Sequence, residues 1–274
     1  RSVRRARPRR DGPPTAGRPV RQPEPRGVLR RGLKAARRMP PPGRPCDGGR
    51  WADSRSEDIA RRAQHRHEVE LEFDEYAEEF EDYLLHSLKY DFPRACQEKV
   101  AGLPRRFRRC LDLGCGTGLC GRALREGPAG EALEWLEGCD LSARMLEKAR
   151  NAGGYDALHK RDLLGHLQRQ PGASFDLLVA GDVFIYVLSL RPVLREARRV
   201  LEPGGALVFS TEAAAEDEEA QEGTVTRESG RFAHRRSWLI ELAVECGFQV
   251  QLVEGMPLRI EDDKPLTGDV FVLE

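Results

Sequence analysis

Residues Leu111 to Gly118 read Leu-Asp-Leu-Gly-Cys-Gly-Thr-Gly, and this stretch decides the fold. A short apolar run with one acid leads into three alternating glycines, and a segment suited to a helix follows. Glycine permits a tight turn and lets bare backbone amides approach a ligand where a Cβ would collide. The pattern therefore predicts a strand, a nucleotide-type binding turn and a helix, in that order.

Two ligands compete for this turn. Gly116, Gly118 and Gly121 satisfy the weak GxGxxG fingerprint of dinucleotides, and Asp140 lies at about the expected distance of ~20 residues downstream. The carboxylate of Asp112 would not stabilise a pyrophosphate, but it favours a ligand with an ammonium group and a sulfonium. S-adenosylmethionine (AdoMet) is such a ligand, with a ribose and an adenine but no phosphate. The acids favour AdoMet, and an NAD-type oxidoreductase is the alternative.

The first 50 residues differ in composition from the rest. They hold 16 of the 45 basic residues, only 3 of the 45 acidic ones and 10 of the 18 prolines. Such a segment cannot build a core, so we expect a disordered basic Pro/Arg-rich tail or a targeting segment. A transit peptide, a simple tail and a truncated upstream region all remain open for residues 1–50.

The remaining chain divides into a predicted N-terminal helical cap at 57–93 and a ligand-binding domain at 94–274. A helical period of apolar residues predicts helix between Glu57 and Leu88. From Cys110 onward, apolar runs alternate with helical patterns, which is typical of a parallel sheet covered on both faces. The acidic stretch from Glu212 to Glu222 is expected to be a solvated excursion. The predicted strands are Cys110–Leu113, Leu133–Cys139, Ala157–Lys160, Phe175–Ala180, Ala206–Thr211, Phe248–Glu254 and Asp269–Leu273.

The seven cysteines lack paired CxxC spacing, and most lie in apolar positions. We therefore expect reduced core residues in an intracellular protein, cytoplasmic or, if the Arg-rich N-terminus is a transit peptide, organellar. No histidine or second cysteine pair completes a zinc site with Cys115 and Cys120, so no metal is predicted. No apolar run reaches 18 residues, and no membrane insertion is expected.

From Leu111 to Thr211 the chain resembles class I AdoMet-dependent methyltransferases. Five segments agree with that family in order and spacing. The resemblance implies an α/β, Rossmann-like fold: a doubly wound, mostly parallel seven-stranded sheet with an antiparallel last strand. It also implies AdoMet as the cofactor and methyl transfer to a small-molecule or protein acceptor. The matching segments are the glycine turn, Gly138–Ser142 with Met145-Leu146, Lys160–Leu163, Phe175–Asp182, and Val200–Gly205 with Leu207–Phe209.

A narrower resemblance points to the predicted methyltransferases that often carry tetratricopeptide repeats. It rests on Phe73-Asp74-x-Tyr76-Ala77-x-x-Phe80, on Arg231-Phe232-Ala233-His234, and on Leu258-Arg259 with Gly268–Leu273. The chain contains no such repeat and departs from the pattern there. This resemblance does not name a substrate.

The expected site residues follow from the ligand's chemistry. Asp140 can accept both ribose hydroxyls, since one carboxylate offers two oxygens to a vicinal diol. Asp112 favours the cationic end of AdoMet, directly or through water. Asp162 resembles the family's acceptor for the adenine amino group, although capping the next helix is a competing role. The predicted cofactor-binding residues are Asp112, Gly114, Cys115, Gly116, Gly118, Asp140, Leu141, Asp162, Leu163 and Tyr76.

The sequence indicates the roles of the residues on the acceptor side less specifically. Asp182 ends the fourth strand and is the candidate catalytic residue, with a purely structural role as the alternative. Tyr76 either reaches over the cofactor or is a core aromatic, and His234 either faces the substrate or has no role. After strand four, Asp182 to Ile185 lacks the Asn/Asp-Pro-Pro-aromatic element of amino-methylating nucleic-acid enzymes, which argues against a nucleic-acid substrate. A non-catalytic AdoMet-binding module is a further alternative.

Overall fold

The computed structural model describes residues 51–261 and 263–274, with side chains described from Ala63 onward. The predicted basic tail at 1–50 lies outside the described residues, together with the transit-peptide and truncation alternatives.

Nine strands in the described part of the chain join one sheet. β3, β2, β1, β4 and β5 lie side by side in that order, and all these neighbours are parallel. β8 and β9 form an antiparallel pair, with β9 against β5. The strands are β1 (Arg109–Leu113), β2 (Trp135–Asp140), β3 (Ala157–Lys160), β4 (Phe175–Ala180), β5 (Leu201–Ala214), β6 (Thr224–Thr226), β7 (Phe232–Arg235), β8 (Val250–Glu261) and β9 (Lys264–Leu273).

The free edge of β5 is shared between two partners. Residues 207–212 of β5 pair with β9 in antiparallel register, whereas residues 212–214 pair with β7 in parallel register. The short strand β6 then lies against β7. The upper end of β5 therefore carries a small branch of the sheet, made of β7 and β6.

Helices cover both faces of the sheet. α2 and α3 pack on one face together with β4 residues Leu177 and Val179, and α6 and α7 pack on the other with Leu178 and Ala180. Every residue of β4 is buried, as expected for a central parallel strand. The helices are α1 (Trp51–Tyr76), α2 (Phe92–Ala101), α3 (Leu119–Glu126), α4 (Ala143–Ala152), α5 (Leu163–Leu167), α6 (Leu190–Val200) and α7 (Arg236–Glu245), with shorter helical segments at Phe80–Asp82, Tyr83–Ser87 and Phe184–Tyr186.

The predicted α/β fold class, with its mostly parallel sheet and antiparallel last strand, is confirmed. All seven expected strands are present, and β6 and β7 are two short strands that the sequence did not reveal. The six cysteines in the described residues are free and buried, as expected. Among the described residues, no helix combines the length and the apolar character needed to cross a lipid bilayer.

Two local expectations were wrong. The helix expected between Glu57 and Leu88 ends at Tyr76, and a turn and a five-residue π-helix (Tyr83–Ser87) follow it. Glu212 does not begin a solvated excursion, because it lies within β5 with 2% of its surface exposed. Its charge is balanced by arginines that are distant in the sequence, as described below.

Candidate cofactor and acceptor site

The glycine turn links β1 to α3 at the carboxyl edge of the sheet. Gly114, Gly116 and Gly118 have φ angles of +67°, +53° and +93°, in the region that favours glycine. A Cβ on Gly114 would lie 2.3 Å from Cγ2 of Val183, whereas a Cβ on Gly116 would meet only Phe80, at 3.8 Å. Gly114 is therefore required by close packing against the segment after β4, whereas a Cβ on Gly116 would make only an ordinary contact with Phe80.

Asp140 is the last residue of β2 and is held beside this turn. Its Oδ2 accepts from the backbone N–H of Gly116 at 2.9 Å, and its Oδ1 accepts from that of Ser142 at 2.8 Å. Burial raises the pKa of Asp140 above its ordinary value, against these backbone hydrogen bonds, which lower it. A carboxylate has about four lone-pair sites, so each oxygen can still accept one further hydrogen bond.

Asp112 lies below the turn and is 1% exposed. Its Oδ2 accepts from the hydroxyl of Tyr155 at 2.7 Å. Burial raises the pKa of Asp112 to about 7, the Tyr155 hydrogen bond lowers it, and the nearby charge of Asp140 raises it. Sequence analysis did not identify Tyr155 as a partner of Asp112, because the two residues are 43 positions apart.

Asp162 adopts the capping role that competed with its adenine role. Its Oδ1 accepts from the backbone N–H of Gly165 at 3.0 Å, at the start of α5. The neighbouring backbone N–H of Arg161 donates to the carbonyl of Asp140 at 2.9 Å. This bond holds the segment after β3 next to the end of β2, with Leu141 and Leu163 both half-buried.

The C-terminal end of α1 and the segment after it lie over the same edge of the sheet. Asp74 accepts from the hydroxyl of Ser142 at 2.6 Å and from the backbone N–H of Arg144 at 3.2 Å, so it caps α4 from another element. Phe73 packs edge-on against Phe80, at 5.7 Å between ring centroids. Because Phe80 also approaches Gly116, this segment covers the glycine turn.

Two buried hydroxyls in these elements have no hydrogen-bond partner among the described residues. They are Thr117 Oγ1 in the glycine turn and Tyr76 Oη at the end of α1. Burial, with the charge of Glu72 as a smaller cause, raises the pKa of Tyr76 to about 12, so its hydroxyl keeps its proton. Unpaired buried hydroxyls together with free carboxylate lone pairs fit a ligand that has hydroxyls and an amino group.

Asp182 follows β4 with a φ angle of +52°, and both of its carboxylate oxygens have partners. Oδ1 lies 3.3 Å from the hydroxyl of Ser210, and Oδ2 is ion-paired with Arg259. Arg259 also pairs with Glu212 and, at 2.7 Å, with Glu261.

Arg231 completes this buried network of charges. Its Nε donates to Glu212 at 2.5 Å, and its terminal nitrogen donates to Glu261 at 2.6 Å. The network connects the ends of β4, β5 and β8 with the residue just before β7. Sequence analysis placed Arg231 and Arg259 in motifs but did not predict that they share carboxylates.

A separate cluster of possible metal-ligand side chains lies at the β2–β3 edge. Oε1 of Glu137 lies 2.8 Å from Nε2 of His166 and 3.3 Å from Nε2 of His159. Gln170 also donates to this oxygen at 2.8 Å, and Trp135 donates to Oε2 at 3.2 Å. These hydrogen bonds satisfy the carboxylate without an ion, and the expectation that the chain binds no metal stays a prediction.

The fold and the site can be compared with known proteins. Residues 111–209 match the family model described as a methyltransferase domain. This stretch is thus similar to methyltransferase domains, in agreement with the resemblance to class I AdoMet-dependent methyltransferases. The match covers the glycine turn, Asp140, Asp162 and Asp182, and it supports AdoMet as the cofactor.

The chain is also similar to individual sequences and solved structures. The malonyl-[acyl-carrier protein] O-methyltransferase of Erwinia pyrifoliae is 35% identical over 125 residues, which are 44% of this chain and 44% of that protein. The chain thus spans less than half of that relative's length. A SAM-dependent methyltransferase from Leishmania major has the same fold, with a TM-score of 0.54, 14% identity, and coverage of 90% of this chain and 83% of that one. The protein solved with the Haloferax volcanii Trm112 methyltransferase activator gives a TM-score of 0.59 at 20% identity, over 73% of this chain and 96% of that one.

Proposed function

We propose that this chain is a methyltransferase that transfers the methyl group of AdoMet to a small-molecule or protein acceptor by in-line displacement. The observation that carries this proposal is the position of Asp140, which ends β2 with both oxygens directed by the backbone amides of Gly116 and Ser142. Bound AdoMet would supply an electrophilic methyl group on a sulfonium. The relative from Erwinia is by its name an O-methyltransferase, which favours an oxygen as the acceptor atom.

Different residues of the chain would bind different parts of the cofactor. Asp140 would accept the ribose hydroxyls, and Asp162 and the side chains of Leu141 and Leu163 would hold the adenine. Asp112 would act on the cofactor through the glycine turn, because it is buried and already bonded to Tyr155. The backbone of Gly114, Cys115, Gly116 and Gly118 would approach the cofactor closely, and Tyr76 would cover it.

Asp182 is better suited to positioning than to proton transfer. Both of its carboxylate oxygens already have partners within the protein. With Arg259 on one oxygen and Ser210 beside the other, Asp182 fixes the backbone where β4 ends. The protein's main task would then be to hold nucleophile, methyl carbon and sulfur in line and to exclude water.

Binding of AdoMet to the full chain tests the proposal. Titration calorimetry should show AdoMet binding, and Asp140→Ala should weaken it at least tenfold, consistent with loss of charge-assisted hydrogen bonds worth ~1.5–3 kcal/mol. Asp217→Ala, in the exposed segment after β5, is the matched control and should bind as the wild type does. Unchanged affinity in Asp140→Ala would remove the ribose assignment, and binding of NADH without AdoMet would favour an oxidoreductase.

Incubation with methyl-labelled AdoMet and fractionated cell extract then distinguishes a methyltransferase from a non-catalytic AdoMet-binding module. Labelled product in the small-molecule or protein pool supports the methyltransferase, and AdoMet binding with no labelled product in any pool supports a non-catalytic module. Label in nucleic acid would contradict the proposed acceptor class. The narrower likeness to methyltransferases that carry tetratricopeptide repeats stays a proposal, and it predicts no particular acceptor.

A further inference from the structure

Two buried polar atoms on the acceptor side have no hydrogen-bond partner among the described residues. They are Oγ1 of Thr211 on β5 and Nδ1 of His234 on β7, and both residues are 1% exposed. Leaving a buried polar group unpaired costs about 1–3 kcal/mol. Two such groups on neighbouring strands therefore require an explanation, and a ligand that bonds to both provides one.

The strand register places Thr211 and His234 on one face of the sheet. β5 and β7 are parallel, and Ala213 of β5 lies opposite His234. Since side chains alternate along a strand, Thr211, two residues before Ala213, points to the same side as His234. Glu212 and Arg231 lie on the opposite face, where they form their ion pair. The two unpaired atoms thus lie on the face of the sheet opposite the ion pair of Glu212 and Arg231.

This face continues beyond the carboxyl end of β4. Phe209 of β5 lies opposite Ala180, the last residue of β4. Its ring packs against that of Phe184, in the turn that follows Asp182, with 5.0 Å between ring centroids. Thr211 is two residues further along β5, so it lies past the end of β4. Ligands of open parallel sheets bind outside the carboxyl ends of the strands. Thr211 and His234 are therefore on the side where an acceptor would meet the cofactor.

Aromatic side chains pack on this face of the sheet. The ring of His234 is stacked on Trp238, at 5.9 Å and 9° between planes. Phe232 lies on the same face and packs against His65 of α1 at 5.7 Å, and Nε2 of His65 lies 3.0 Å from the carbonyl oxygen of Tyr186. α1 thus closes this side as well as the glycine turn.

We propose that Thr211 and His234 form the acceptor-binding pair of this chain, and that they bind an uncharged hydroxyl group of the acceptor. The inference rests on the proposed methyltransferase function and deepens it. A hydroxyl matches both atoms at once, because it can donate to Nδ1 of a neutral imidazole and accept from the threonine hydroxyl.

The charge state of His234 supports a neutral ligand group. Burial lowers the pKa of His234 to about 4, and no charged neighbour contributes to this shift. The imidazole is therefore neutral at pH 7. A carboxylate or an ammonium group bound at Nδ1 would lose its hydration in the same place without an opposite charge to compensate it.

Substitutions that remove only the polar atoms test this assignment in the full chain. Thr211→Val and His234→Phe keep shape and stacking, and each should leave the melting temperature and the AdoMet affinity unchanged or higher. Each should raise at least tenfold the amount of small-molecule extract fraction needed for half-maximal labelling from methyl-labelled AdoMet. Thr226→Val, the same substitution at an exposed position of β6, is the control and should label as the wild type does.

The product distinguishes the possible acceptor groups. A labelled methyl ether, which survives alkaline hydrolysis, is expected if the hydroxyl bound by this pair is the one methylated. An alkali-labile methyl ester, an N-methyl product, or unchanged labelling by Thr211→Val and His234→Phe would overturn the inference while leaving the methyltransferase intact. A melting temperature lowered in both variants would also overturn it, because the two polar atoms would then have structural partners. Absence of AdoMet binding in the wild type would instead refute the proposed function.

Discussion

Asp112 exchanges its proton near neutral pH, unlike most aspartates. Burial raises its pKa from an ordinary value of 3.8 to about 7. The sequence predicted a binding role for this acid, because it stands just before the glycine turn. It could not predict the pKa, which depends on complete burial and on a tyrosine from a distant segment.

The titration of Asp112 gives a prediction at the residue scale. Between its ordinary pKa of 3.8 and about 7, the unfolded chain loses this proton while the folded chain keeps it, so the free energy of unfolding falls as pH rises. The loss is at most about 4 kcal/mol, from 1.36 kcal/mol per pKa unit. Asp112→Asn should flatten this part of the stability–pH curve, as measured by urea unfolding at several pH values.

Tyr155→Phe provides the complementary measurement. Its hydroxyl lowers the pKa of Asp112, so removing it should raise that pKa further, and carbon-13 NMR of the aspartate carboxyl groups would follow the change. A titration of Asp112 near pH 4 in the wild type would contradict both expectations.

At the scale of elements, several polar side chains near the end of α1 contact the domain. Asp74 caps α4, Glu70 pairs with Lys160 at 2.8 Å, and Glu78, just beyond α1, pairs with Lys148 at 2.5 Å. Exposed ion pairs of this kind contribute little, whereas a cap that satisfies helix amides contributes about 1 kcal/mol. Asp74 should therefore hold the end of α1 against α4 more strongly than either exposed pair.

Asp74→Ala tests this difference. We expect amide hydrogen exchange in α1 to become several-fold faster, while exchange in the central strands stays the same. Glu78→Gln removes an exposed pair next to the same helix and should have no measurable effect. Equal exchange rates in Asp74→Ala and the wild type would show that other contacts hold the helix.

The elements differ in how well the sequence predicted them. The central strands were predictable, because a strand buried on both faces reads as an apolar run between turn residues. The end of β5 was not, because Glu212 opens a stretch of acids and its burial depends on Arg231 and Arg259, 19 and 47 positions away. The break after Tyr76 was also missed, since the apolar period continues through it.

At the scale of the whole molecule, the charge network joins strands that are far apart in the sequence. Glu212 accepts from both Arg231 and Arg259, and neither arginine is more than 8% exposed. Breaking a buried ion pair by removing one partner typically costs ~3–5 kcal/mol, because a charge is left buried without compensation.

Glu212→Gln should therefore lower the free energy of unfolding by about 3 kcal/mol or more, as measured by urea denaturation. Glu98→Gln, which removes a surface partner of Arg94, serves as the control and should leave stability unchanged. A loss no larger than the control's would mean that the two arginines keep sufficient compensation from Asp182 and Glu261.

The divided edge of β5 also has a consequence for how this scaffold could diversify. The glycine turn and Asp140 belong to β1 and β2, on one side of β4. Thr211 lies on β5 on the other side, His234 lies on β7 and Trp238 lies in α7. β7 pairs with β5 and β6 and with none of the strands that carry the cofactor-binding residues. Exchanging residues 232–245 between related proteins would replace His234 and Trp238 without changing the strands that carry the cofactor-binding residues, so the scaffold is suited to grafting new specificities.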